Sequence, residues 1–276
     1  MRAGRLKTRK YKIHRGAGGR LLLIALLIAA AAAGAYAGQQ SLLPLHREVP
    51  LDPSPTLTPE DGARESRQLV LPGSAWYALQ LGAFEGESAV QTEAAAYRSR
   101  GAAGYVDPGG AYRLLAAAYA TRAEAQAVQH QLNAQHSVET YIVEIARPEV
   151  TLRLTGQRAQ LTALQDAYTL IDQAAEQMSG LSQGLDNHTL TASDILPALR
   201  SQQETAASLI HRLDQLFGAS APQEVQDVRA ILTDFQQQLA AALTAQGSTA
   251  LGAQLKYCHV LCVCRMAAYA ARLASR

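Results

Sequence analysis

The stretch WYALQLGAF, residues 76–84, returns in altered form 35 positions later as AYRLLAAAY, residues 111–119. Both copies carry an aromatic residue near the start, small or apolar residues in the middle and an aromatic residue at the end. Farther along, Tyr105-Val106 is matched by Tyr141-Ile142 at nearly the same spacing. A repeat of this period indicates one supersecondary unit that is used twice. Residues 76–147 therefore organise the chain.

The repeated unit predicts a small mixed domain over residues 74–148. Thr121 and Glu124 form a capping-box pattern, which marks the start of its second helix. The predicted elements are strands over 75–84, 103–106, 112–119 and 138–145 and helices over 87–99 and 121–135. The order β-α-β-β-α-β predicts an α+β fold, with two helices on one face of a four-stranded antiparallel sheet. The other face of that sheet is expected to be open.

The motifs of this domain resemble those of the SPOR domain, the sporulation-related repeat of bacterial envelope proteins. The resemblance is carried by QLGAF at residues 80–84, Tyr112-Arg113, and TRAEA at residues 121–125. It implies a βαββαβ, ferredoxin-like or RNP-like domain whose sheet binds peptidoglycan. Glycan strands stripped of their stem peptides are the preferred ligand of the family. The implied role is in cell division or sporulation, as a localisation or scaffold module.

The glycan-binding residues expected from this sequence are Gln80, Tyr112, Arg113 and Leu115. Gln80 matches the glutamine that lines the family's binding face, and Arg113 and Leu115 are expected to share the open face by alternation along the strand. Amide and guanidinium groups beside a flat apolar surface suit a sugar chain. The sequence departs from the family pattern at Ala83, Leu115, Ala117 and Ala118. These departures keep an alternative open, in which the chain is a helical adaptor or scaffold whose SPOR domain no longer binds glycan.

The N-terminal third of the chain is typical of a membrane tether. Residues 1–20 hold eight basic residues and no acid, and residues 21–38 carry no charge. This pattern predicts a single-pass transmembrane helix over 21–38, with the basic tail in the cytoplasm and the later domains outside. The alternative is a signal peptide cleaved after Ala37, which would release a secreted protein. Residues 39–73 hold six of the ten prolines and are interpreted as a linker.

Residues 151–276 show no convincing strand and four amphipathic patterns with a period close to 3.5. They predict an all-α bundle, closed within the chain or through a protein partner or a second copy. The three cysteines, Cys258, Cys262 and Cys264, lie on the last pattern and are interpreted as core residues rather than as metal ligands.

Composition argues against several other functions. The net charge of +2 comes from the N-terminal tail, and residues 76–147 hold five arginines against seven acids, which disfavours nucleic acid. No spacing of nucleophile, base or metal ligands suggests an enzyme. The sequence therefore predicts a non-enzymatic envelope protein with no cofactor and no metal, whose partners are the membrane, peptidoglycan glycan strands and a possible protein.

Overall fold

The computed structural model describes residues 64–109 and 111–276. The predicted basic tail, the predicted span over 21–38 and most of the predicted linker lie outside these residues. Within them, no helix combines the length and the apolar character that crossing a bilayer requires.

The described residues form an α+β unit followed by a helical region. The strands are β1 (Arg64–Leu71), β2 (Ser74–Phe84), β3 (Tyr105–Asp107), β4 (Tyr112–Tyr119), β5 (Tyr141–Arg147) and β6 (Val150–Gln157). The helices are α1 (Glu87–Arg98), α2 (Arg122–His136), α3 (Arg158–Asp186), α4 (Ala192–Phe217), α5 (Gln223–Leu243) and α6 (Gly247–Ala274), with a short 3-10 turn at Gly218–Ser220.

The predicted four-stranded antiparallel sheet is confirmed, with the strand order β3-β4-β2-β5. Both helices α1 and α2 lie on one face of it, where Leu79 and Leu114 are buried beneath them. The capping box of α2 is present as well: Thr121 Oγ1 accepts from the Glu124 N–H, and the Glu124 carboxylate accepts from the Thr121 N–H. The hydrophobic patterns and the capping box are therefore sufficient to predict the four-stranded sheet and its two helices.

Two strands that the sequence did not predict extend the domain. β1 falls within the expected linker over 39–73, and β6 falls within the region expected to hold no strand. They pair antiparallel along their whole length, from Arg64 opposite Gln157 to Leu71 opposite Val150. Because the paired residues are 79 to 93 positions apart in the chain, neither strand shows a local hairpin signal.

The β1–β6 ribbon joins the sheet to the helical region. Its inner face presents Leu69, Leu71, Leu152 and Leu154 to the main core, while the residues between them are exposed. β6 runs directly into α3 at Gln157–Arg158, and α3 contacts both strands of the ribbon. The two halves of the protein are thus connected by packed backbone as well as by side chains.

The four C-terminal helices pack on one another, and the apolar patterns read from the sequence are buried. Contacts link α3 with α4, α4 with α5, α5 with α6, and α6 with α3. α6 differs from the other helices because it is buried nearly all round between residues 251 and 267. A helix that is apolar on every side belongs in an interior, and α6 lies between the other helices and the sheet.

Candidate functional site

Strand register decides which predicted residues share a face. Gln80 on β2 lies opposite Leu115 on β4, and Ala83 lies opposite Arg113. Gln80, Arg113 and Leu115 therefore lie on the same face, which is the face away from α1 and α2. Tyr112 is on the opposite face, where it packs with Phe84 against the hydrophobic cluster that contains Val90 of α1. The structure brings together three of the four residues that the resemblance implied.

The expectation of an open sheet face is wrong, because α6 lies across it. Leu115 is only 1% exposed and belongs to the same core cluster as Leu255 and Cys258 of α6. α6 contacts β3, β4 and β5. The physical reason lies in the composition of β4, which carries the apolar residues Leu115 and Ala118 where a glycan-binding strand needs polar groups. Because burying these side chains is favourable, a helix packs against them.

Aromatic contacts fix α6 to the sheet at two points. The Trp76 ring of β2 meets the His259 ring edge-on, with ring centroids 4.6 Å apart. The Tyr105 ring of β3 meets the Tyr257 ring in the same manner at 5.4 Å. Edge-to-face pairs of this kind contribute roughly 0.5–1.5 kcal/mol each beyond the area that they bury. Tyr257 also lies beneath the guanidinium of Arg98 from α1.

A buried ion pair ties α6 to the α1–β3 connection. The Lys256 ammonium lies 2.9 Å from the Asp186 carboxylate at the end of α3, and it donates to the carbonyl oxygen of Gly101 at 3.1 Å. The Lys256 side chain is 7% exposed. One buried cation is thus shared by the helical region and the α+β domain, which requires the two to keep a fixed relative position.

Burial keeps the imidazole and the three thiols of α6 uncharged. Desolvation lowers the pKa of His259 to about 4, and its Nε2 has no hydrogen-bond partner among the described residues. Desolvation also raises the pKa of the Cys258 and Cys264 thiols to about 12 and that of Cys262 well above its usual value. All three cysteines are free and buried, and residues 64–109 and 111–276 contain no cluster suited to a metal.

One end of the sheet face is only partly covered by α6, because the side chains of Arg113 and Tyr141 there remain partly exposed. We call this the uncovered end; it consists of Gln80, Asp107, Arg113 and Tyr141. Arg113 pairs with Asp107, and the Arg113 side chain is 35% exposed. Tyr141 begins the edge strand β5, lies opposite Gln80, and is 48% exposed. Amide, guanidinium and aromatic groups therefore remain accessible where β2, β4 and β5 meet.

Two clefts adjoin this domain, and sequence reasoning predicted neither. A cleft of about 310 Å³ lies between the β1–β2 turn and the helices, with Trp76 and Ile145 in its lining. Its cation, Arg147, is already occupied by the Asp172 carboxylate and the carbonyl oxygen of Pro72. A second cleft, of about 280 Å³, lies between α2 and the start of β5 and is lined almost entirely by polar side chains.

Comparison with known proteins agrees with the topology. The family model of the SPOR domain matches residues 73–144. No curated protein and no solved structure matches the chain significantly. The matched range begins at the β1–β2 turn and ends inside β5, so it covers the four-stranded sheet with α1 and α2. SPOR domains are known for peptidoglycan binding in cell division. With its βαββαβ order and this match, the chain is a SPOR domain-containing protein.

Proposed function

We propose that this protein is a membrane-anchored, non-enzymatic envelope protein that binds peptidoglycan glycan strands and acts in cell division or sporulation as a localisation or scaffold module. The SPOR match at residues 73–144 carries the proposal. The uncharged segment over 21–38 behind eight basic residues supports a single span with a cytoplasmic N-terminus. Peptidoglycan would then be reached by the domains outside the membrane.

The position of α6 narrows where glycan can bind. With Leu115 buried, a glycan strand cannot lie along the middle of the sheet. The uncovered end keeps the Gln80 amide, the Arg113 guanidinium and the exposed Tyr141 ring, which together suit sugar hydroxyl and acetamido groups. We therefore propose that glycan contacts this end of the face.

A second candidate function is favoured by the same packing. The apolar residues of β4 seat a helix of the same chain, so the SPOR fold serves here as a structural platform. In this alternative the chain is an adaptor without glycan affinity, and its fused domains present the exposed surfaces of α4 and α5 to a protein partner or a second copy.

Cosedimentation with purified peptidoglycan sacculi separates the two candidates. The full-length chain, with detergent in every sample, is expected to sediment with sacculi. The double variant Gln80→Ala/Arg113→Ala is expected to lose about tenfold in affinity, the ratio that corresponds to one or two lost polar contacts. The control double variant Arg122→Ala/Gln126→Ala removes the same groups from exposed positions at α2. Wild-type protein that stays in solution at every salt concentration would support the adaptor.

The anchoring proposal has its own test. Reporter fusions at residue 1 and at residue 276, one active only in the cytoplasm and the other only outside it, give the orientation of both ends. The proposal expects a cytoplasmic N-terminus, an external C-terminus and a chain of undiminished length in the membrane fraction. A chain shortened by about 37 residues and released from the membrane would indicate signal-peptide cleavage instead.

A further inference from the structure

We infer that the cleft between α2 and β5 is a subsite for an uncharged saccharide, which continues the uncovered end of the sheet around the edge strand. The inference rests on the proposed peptidoglycan binding and adds a location that the resemblance to the family does not supply. The cleft is lined by Gln129, His130, Asn133, Glu139, Thr140 and Tyr141. We refer to it as the α2–β5 cleft.

The chemistry of the lining selects the class of ligand. Two amides, a hydroxyl, an imidazole and one carboxylate offer both donors and acceptors of hydrogen bonds. No lysine or arginine lines the cleft, and Glu139 would repel an anion. Phosphates and carboxylates are therefore disfavoured in the cleft, whereas the hydroxyl and acetamido groups of the neutral N-acetylglucosamine unit of a glycan strand match the lining. A volume of about 280 Å³ accommodates about one sugar ring, with the rest of the chain outside.

The α2–β5 cleft also contains a polar group that lacks a protein partner. Thr140 is 6% exposed, and its Oγ1 has no hydrogen-bond partner among the described residues. A buried hydroxyl without a partner costs free energy, and a ligand hydroxyl at the floor of the cleft would supply the missing bond. Gln129 forms the adjacent wall, where its amide donates to the Thr140 carbonyl oxygen.

Tyr141 connects the α2–β5 cleft with the uncovered end. Its backbone lies opposite Gln80 in the sheet, and the residue lines the cleft as well. Together with Val70 it is one of two exposed large apolar residues in the described part of the chain. An exposed aromatic ring beside amides is the usual arrangement for stacking against the flat face of a sugar. Because the Gln80 side chain lies on the face away from α2, a saccharide of several units would have to pass around the edge strand β5 at Tyr141 to contact both Gln80 and the α2–β5 cleft.

The test compares variants of the full-length chain, with detergent in every sample, by cosedimentation with sacculi and by titration with a neutral N-acetylglucosamine tetramer. Tyr141→Ala and Asn133→Ala are expected to weaken both interactions about tenfold or more. The controls are Val70→Ala, at the other exposed apolar residue, and Gln126→Ala, on α2 outside the cleft. Circular dichroism melting checks that each variant is folded.

The outcomes separate this inference from the proposed function. Sacculus binding that depends on Gln80 and Arg113 but not on Tyr141 or Asn133 would contradict saccharide binding in the α2–β5 cleft. Peptidoglycan binding by the protein would still be supported. Tetramer binding that depends on Tyr141, without sacculus binding, would support the cleft and overturn the proposed peptidoglycan role. Wild-type protein that binds neither sacculi nor the tetramer would overturn both.

Discussion

At the scale of single residues, the helix cap at Thr121 and the sheet face on which Tyr112 lies depend on interactions of different range. The capping box at Thr121 forms because its partner, Glu124, lies three positions away. The placement of Tyr112 failed for the opposite reason. Alternation along β4 puts it on the face of α1, whereas Gln80, Arg113 and Leu115 lie on the other face. A family motif names residues that occur together, but only strand register assigns them to a face.

Gly104 occupies a position that no other residue fits. Its φ is +57°, and an added Cβ would lie 2.5 Å from the Ala94 carbonyl oxygen. Gly104→Ala should therefore lower the free energy of unfolding by at least about 2 kcal/mol, from left-handed strain and overlap combined. Chemical denaturation provides the measurement. Gly180→Ala is the control, because nothing lies within 4 Å of a Cβ there and a helix interior favours alanine by roughly 0.5–1 kcal/mol. Equal stability of the two variants would contradict the placement of Gly104.

His259 should make stability depend on acid. Its pKa is about 4 in the folded protein and near 6.5 when exposed, so the unfolded chain binds the proton first as the pH falls. Above about pH 6.5 the imidazole is neutral in both states and contributes no pH dependence. Between pH 6.5 and 4 the folded state should lose about 3 kcal/mol relative to the unfolded state.

Denaturation of wild type and His259→Phe across this pH range isolates the histidine, because both proteins share their carboxylates. The wild type should lose more stability than the variant on going from pH 7 to pH 4. The same pH dependence in both proteins would show that His259 is accessible to water and that α6 is not seated against Trp76.

At the scale of elements, helices and hairpin-like repeats were predictable, while long-range pairing was not. The periodic apolar residues of α3, α4 and α5 can be recognised in the sequence because each of these helices buries one face. β1 and β6 form only with each other, so alternation such as Leu69 with Leu71 gave no clue to the partner. α6 was recognised as a helix, but its apolar character on every side indicates two packing partners, and the sheet is the second of them.

The Lys256–Asp186 pair is expected to stabilise the packing of α6 against α3 and the α1–β3 connection. Lys256→Met keeps most of the side-chain volume but leaves Asp186 without its cation and Gly101 without its donor. We expect a loss of about 3 kcal/mol in the free energy of unfolding, since removing one partner of a buried pair strands the other charge.

Arg272→Met is the matched control on the same helix, because the Arg272 side chain is 59% exposed against 7% for Lys256, and loss of its pair with Asp227 should cost less than about 1 kcal/mol in the free energy of unfolding. Urea denaturation of both variants gives the comparison. If Lys256→Met lowers the free energy of unfolding by no more than Arg272→Met does, then the contact of α6 with the α1–β3 connection is not formed in solution.

At the scale of the whole molecule, the sheet and the helical region share one hydrophobic core. Ala78 and Leu115 of the sheet belong to the same cluster as Phe235 and Leu255 of the helices. The sequence predicts two separate domains, so this shared core was not predictable from it. The shared core depends on apolar residues at the surfaces where the sheet and the helices meet. The SPOR domain and the helical region should therefore unfold together rather than in turn.

Trp76, the single tryptophan of the chain, makes this cooperativity measurable. It lies at the contact between the sheet and α6, so its fluorescence reports on docking, whereas circular dichroism at 222 nm mainly reports on the helices. The two signals should give coincident denaturation curves with one midpoint. A fluorescence transition that precedes the loss of helix would indicate a sheet that separates from α6 while the helical region stays folded.

The reactivity of Cys264 in the native protein tests most directly whether α6 covers the sheet. Burial raises the pKa of this thiol, and the nearby Asp107 and Arg113 at the end of the sheet make smaller, opposing contributions. Maleimide labelling of the full-length chain, with mass spectrometry to locate the label, should find Cys264 modified only as fast as the protein unfolds, with sacculi present or absent. Rapid labelling of Cys264 in a protein that keeps its helical signal would show that α6 leaves the sheet, and would contradict a covered face.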